Sequence, residues 1–149
     1  MTYLAIAGNA ATPFYATVGD ISGNWGGGNG GWVGPLVLAG VSQIGANFFS
    51  GNTIVAPMTG TYYIAARANV NDQHGGLNAG LRLANYPRAP FAGTVSAEAI
   101  NPRGSCEIAF SCLMLMNVNE SAILQAYQSW GLSSSSFYIA FIPTPDNRK

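Results

Sequence analysis

Side chains suited to acid–base or metal chemistry are sparse in this chain. Its one histidine, His74, stands two residues after Asp72 in the turn-forming run Asn71-Asp72-Gln73-His74-Gly75-Gly76. A general base needs a nucleophile within hydrogen-bond reach, and a metal needs three or four converging ligands. One histidine beside one aspartate supplies neither. A solvated loop histidine is the simpler reading. No Gly-x-Ser-x-Gly elbow is present to raise a serine above a sheet. The glycine-rich stretch from Ser22 to Trp32 lacks the Lys-Ser or Lys-Thr that would make it a phosphate cradle. The acids Asp20, Asp72, Glu98, Glu107, Glu120 and Asp146 are scattered without the spacing of a calcium loop. We therefore expect no catalytic residue, no metal and no cofactor, and read the chain as a non-enzyme.

Two cysteines, Cys106 and Cys112, fall within one strand-like run. Six residues of extended chain cover roughly 20 Å, too far for a disulfide, so free buried thiols are expected. Asn119-Glu120-Ser121 fits a glycosylation sequon, which is used only on a secretory route. The N-terminal MTYLAIAGNAA shows no basic segment ahead of its short apolar run, so a chain made in the cytoplasm is expected.

These residues must be held by a scaffold of strands. Apolar residues occur in alternation or in short runs rather than at helical spacing, and Gly, Pro and Asn punctuate them. Candidate strands cover Phe14 to Val18, Trp32 to Leu38, Gly51 to Val55, Tyr62 to Val70 and Gly80 to Ala84. Further candidates are Gly93 to Ala99, Cys106 to Met116, Ser121 to Trp130 and Ser136 to Ile142. Many short strands predict an all-β sandwich or barrel. The chain of 149 residues fits one domain, residues 12–149, preceded by an arm of residues 1–11 in which Leu4, Ala5 and Ile6 form a short apolar segment. Such an arm stays ordered only if it docks.

The stretch Phe48 to Ala66, FFSGNTIVAPMTGTYYIAA, carries the most local information. Thr53-Ile54-Val55 is β-branched, Pro57 ends ladder pairing, and Gly60 is read as a turn residue of positive φ. Alternation then sends Tyr62 and Ile64 inward and Tyr63 to the opposite face.

Composition narrows the surroundings. Hydrophobic residues make up 48% and charged residues only 8%, against about 25% charged in an average soluble protein. No apolar run reaches the length of a membrane helix. A formal net charge of zero, with six Lys and Arg in all, leaves no basic stripe for nucleic acid. Neither membrane nor nucleic acid is expected as a partner. A surface so poor in charge suits burial against other copies, since interface centres are depleted in charge and enriched in aromatics. The run Ile108 to Met116, apolar on both faces, suits a strand with the core on one side and a subunit contact on the other. Trp25 and Trp32, which bracket the glycine-rich loop, either flank a flexible connector or serve as contact anchors for a neighbouring subunit or a sugar ring.

From about Thr12 to Pro143 the order of features resembles the C1q/TNF-like jelly-roll domain. Pro13-Phe14-Tyr15-Ala16 is similar to the opening strand, and Pro35-Leu36-Val37-Leu38 with Val41 to the apolar strand that follows. Phe49 to Ile64 is similar to the family's strand, Ala-Pro and Gly-x-Tyr-x-Phe signature, with Ile64 in place of phenylalanine. Leu113-Met114-Leu115, a turn at Asn117-Val118-Asn119-Glu120 and Ile123-Leu124-Gln125 resemble the next conserved stage, Asn119-Glu120 standing where Gly-Asp is usual. Ser136 to Ile142 is similar to the closing strand, with Ile139 in place of glycine. The resemblance implies a jelly-roll β-sandwich that forms a homotrimer, the outer face of one sheet packed around the threefold axis. It places Tyr63, Phe137 and Ile139 at the trimer interface and Tyr62 in the core.

No collagen-like repeat is present, and together with low charge and the N-terminal reading this favours a structural head over a secreted signalling ligand. The expected role is a capsid decoration or cement protein on the virion surface of a bacterial virus, made in the host cytoplasm and contacting a major capsid or other virion protein. The alternative is a trimeric receptor- or glycan-binding head of a fibre, spike or surface appendage. Leu4 and Ile6 of the N-terminal arm are the expected partner contacts in the first role, and Trp25 and Trp32 the expected partner or ligand contacts in the second.

Overall fold

A computed structural model of the chain describes residues 14–22, 31–72, 79–99, 104–127 and 132–143. These residues form strands and no helix: β1 (Tyr15–Ser22), β2 (Trp32–Val33), β3 (Val37–Ile44), β4 (Phe49–Ser50), β5 (Thr53–Val55) and β6 (Gly60–Asp72) come first. Then follow β7 (Ala79–Ala84), β8 (Ala92–Gly93), β9 (Ser96–Ala99), β10 (Gly104–Met116), β11 (Ser121–Tyr127) and β12 (Leu132–Ile142). The all-β reading holds. The candidate strand Trp32 to Leu38 divides in two because Gly34-Pro35 interrupts it, Pro35 lacking the N–H that a ladder needs.

Two antiparallel sheets form a sandwich. The long sheet runs β3-β1-β12-β6-β10-β8 and the other β4-β5-β11-β7-β9, with β2 also on β11. Consecutive strands change sheet along much of the chain, the crossing pattern of a jelly roll. The core is made by one phase of each strand. Tyr62, Ile64, Ala66 and Ala68 of β6 and Ile108, Phe110, Cys112, Met114 and Met116 of β10 face Ile54, Leu81, Leu83, Ala122, Leu124 and Ala126 of the other sheet. Cys106 and Cys112 are free thiols on this inner phase.

Tyr62 ties the core to the turn before it. Its ring packs edge-on to Phe48 and Phe141 at centroid distances of 6.4 and 5.5 Å. Its phenol accepts the Met58 N–H at 3.1 Å and donates to the Met58 carbonyl, so one side chain closes the turn between β5 and β6. Burial raises this phenol's pKa, with the Met58 bond acting in the opposite sense. Gly60 corrects its sequence reading: its φ is not positive, and it is glycine because a Cβ there would overlap the Phe141 ring. In the stretch Phe48 to Ala66 the positive φ is at Gly51, at 59°, and in the turn between β10 and β11 it is at Asn119, at 71°. Asparagine tolerates the left-handed region, which explains how Asn119 replaces the usual glycine in that turn.

The two turns are laced together. Val118 N–H donates to Thr59 Oγ1 at 2.9 Å, and Asn119 N–H to the Ala56 carbonyl at 2.8 Å. Glu120 takes a forked bond from Arg88 at 2.8 and 3.0 Å and also accepts the Asn117 N–H. These bonds hold its carboxyl below the usual carboxylate range, the Arg88 bond contributing most.

Candidate functional site

The outer face of the long sheet carries the residues most suited to a contact. Its registers line up side chains in rows across the strands. The first row is Ile142, Thr61 and Leu115. The second crosses the whole sheet: Ile44, Tyr15, Ala140, Tyr63, Leu113 and Ala92. The third is Ser42, Thr17, Tyr138, Ala65 and Ser111. No charged residue occurs in these rows. Within the sheet, charge begins in the rows below, with Arg67 and then Glu107, paired at 3.3 Å with both side chains about half exposed; beside the first row, Arg88 borders the face, donating to the Leu115 carbonyl at 2.8 Å.

Tyrosines form the centre of the face. Tyr138 lies between Tyr15 and Tyr63, each ring centroid 6.0 Å away. Tyr63 is 37% exposed and Leu115 49%. Phe91, 58% exposed, closes the far end of the second row, its N–H donating to the Leu113 carbonyl at 3.0 Å. Below the tyrosines the small residues Ala65, Ala109, Ser111 and Ser136 leave a depression of about 620 Å³, walled by Tyr63, Tyr138 and Arg67. Raised aromatic rings beside a shallow hollow are the relief on which a second protein surface can interlock.

Of the residues expected at the interface, Tyr63 lies on this outer face. Phe137 and Ile139 do not. They are 2% and 0% exposed and belong to the core between the sheets. The reason is phase. β12 contains an irregularity between Ser133 and Ser136, where its register against β6 slips by one residue and Ser134 takes a φ of 51°. Such a slip exchanges the two faces of a strand. Buried Ser135 fixes the irregularity, its Oγ accepting the Ile21 N–H at 2.8 Å and donating to the Ile21 carbonyl at 3.0 Å. Beyond it Phe137 and Ile139 point inward while Tyr138, Ala140 and Ile142 point outward. The sequence signal was present, since Phe137, Ile139 and Phe141 form the wholly apolar phase and Tyr138 carries the hydroxyl. Tyr15, Ile44 and Leu115 were missed because their place on this face depends on register, which a single strand does not state.

Trp32 does not project as a free anchor. It is half-buried on the other sheet, with the Arg82 guanidinium 4.2 Å above its ring, Tyr127 5.3 Å away and its edge over Gly80, where a Cβ would come within 2.8 Å. Arg82 is fixed by Gln125 at 2.8 Å. Trp25, Leu4, Ile6 and His74 lie outside the described residues. Among the described residues no three His, Cys, Asp or Glu side chains come together as a metal site, and no helix is long and apolar enough to cross a membrane.

Comparison of the chain with family models finds none that matches, and no curated protein matches. Solved structures do. The crystal structure of murine APRIL at pH 5.0 superposes with a TM-score of 0.59 at 7% identity, over 87% of this chain and 98% of that one. The same protein at pH 8.0 gives a TM-score of 0.58 with the same identity and coverage. The fold is a TNF-like jelly roll. At this identity the likeness concerns the arrangement of strands, and the TNF-like jelly roll here carries side chains of its own.

Proposed function

We propose that the protein is a non-enzymatic homotrimeric head, in which three copies pack the outer face of the long sheet around a common axis. The observation that carries this reading is the trio of charge-free rows centred on Tyr15, Tyr138 and Tyr63. A face of that composition, open to water on a lone chain, is better matched to another protein surface than to solvent. TNF-like neighbours that assemble as homotrimers support the same arrangement. Each tyrosine buried there would contribute about 2 to 3 kcal/mol by area, before the costs of ordering and association.

The trimer's task in this proposal is to decorate a virion surface as a cement protein over a major capsid protein. A neutral chain with 8% charged residues suits broad contact with another neutral protein surface, and a threefold head suits the threefold positions of an icosahedral shell. Its low charge argues against phosphate tracking. The test is to compare virions with and without the protein. Particles lacking it should lose resistance to heat while still adsorbing to host cells. Lost adsorption with unchanged heat resistance would overturn the cement role and point to a receptor- or glycan-binding head.

A further inference from the structure

β3 is the outermost strand of the long sheet, and among the described residues nothing pairs with its far edge. A free edge of eight residues is a template for another strand, and proteins ordinarily blunt one with lysine, proline or an inward-pointing charge. β3 carries none of these, and no charged residue occurs between Asp20 and Arg67. Val37, Val41 and Ile44 stand exposed along it. Val41 is opposite Val18 on the core side of the sheet, and Ile44 is opposite Tyr15 on the outer side. A strand laid along β3 would therefore find apolar contacts on both of its faces. Near the start of β3 the Leu38 N–H is already taken by the Asn52 side chain at 3.2 Å, so the template is the stretch from Ala39 to Ile44.

We propose that this edge is covered by the chain's own segment Thr2–Ala7, added as a strand parallel to β3. At least thirteen residues precede Phe14, and β1 begins beside the end of β3, with Tyr15 opposite Ile44. A segment leading into β1 from that corner must run along β3 in β3's own direction. It has to pass over a single strand, about 10 Å at ordinary strand spacing. Gly8-Asn9-Ala10-Ala11-Thr12-Pro13 reaches roughly 20 Å when extended and has the composition of a turn. Thr2-Tyr3-Leu4-Ala5-Ile6-Ala7 is uncharged, and extended it would place Leu4 and Ile6 on one face with Tyr3 and Ala5 on the other. A tether this short holds the segment at an effective concentration on the order of millimolar, which favours it over a strand from another molecule. The docking is intramolecular and stands apart from the trimer proposal.

Hydrogen exchange on the full chain and on the Leu4→Asp, Ile6→Asp double variant tests it. Those amides between Ala39 and Ile44 that point away from β1 should exchange about tenfold faster or more in the variant, while those of β6 and β10 keep their protection and report an intact fold. Equal rates along β3 in the two proteins would overturn the proposal. A second measurement joins Ala5→Cys to Ser42→Cys with a short bismaleimide, in a chain also carrying Cys106→Ser and Cys112→Ala. A link within one chain is expected. Links between chains, or none, would overturn docking of the segment on its own edge.

Discussion

At Phe137 and Tyr138 one step of phase separates core from contact. Phe137 packs edge-on to Phe49 at 6.3 Å inside the sandwich, while Tyr138 stands on the outer face between two other tyrosines. Phe137→Ala should therefore cost about 3 to 5 kcal/mol of stability, as deletion of a buried aromatic does. Denaturant unfolding measures this, and an unchanged midpoint would place the ring outside the core. Tyr62 and Tyr63 show what was legible at this scale. A Gly-Thr-Tyr-Tyr opening to a strand, followed by Ile64, fixes which tyrosine goes inward, because only one phase of the strand continues apolar. Phe137 and Ile139 were misplaced because carrying over a family position does not carry over its phase, although the wholly apolar alternation of Phe137, Ile139 and Phe141 marked the inward side of the strand.

At the scale of elements, the lacing of the turn at Asn117 to Glu120 onto Ala56 and Thr59 has a consequence for pH. Glu120's pKa is lowered in the folded state, so its contribution to stability is fully present above the unfolded carboxylate value, about 4.3. It is lost as pH falls through the lower folded value. Wild-type stability should thus decline more steeply in that acid window than stability of Glu120→Gln, which has no proton to take up. Unfolding midpoints measured at neutral pH and in the acid window compare the two. Parallel declines would show that the Arg88 fork does not contribute. The turn itself was visible in the sequence as Asn-Val-Asn-Glu. Its partner Arg88, 32 residues away along the chain, was not, since nothing local to either residue announces a contact made across the fold. Gly60 was misread for a related reason. Its need for glycine comes from the Phe141 ring, a packing demand, where the sequence suggested a backbone one.

For the whole molecule, composition and alternation were enough to indicate an all-β sandwich, and the ordered set of motifs from Thr12 to Pro143 was enough to indicate its jelly-roll type. The low charge located no particular surface until register assembled it into one. Rows built from Ile44 to Ala92 draw on β1, β3, β6, β8, β10 and β12, strands spread over most of the chain, so the charge-free face exists only in the folded sheet. Its centre is Tyr63, and a carboxylate placed there would meet two other copies in a trimer yet only water on a lone chain. The most direct measurement is the solution mass of the 15.5 kDa chain and of Tyr63→Asp by light scattering at micromolar concentration. The trimer account predicts three times the chain mass for the wild type and a folded single chain for Tyr63→Asp. A wild-type protein that stays a monomer, or a Tyr63→Asp trimer as stable as the wild type, would contradict it.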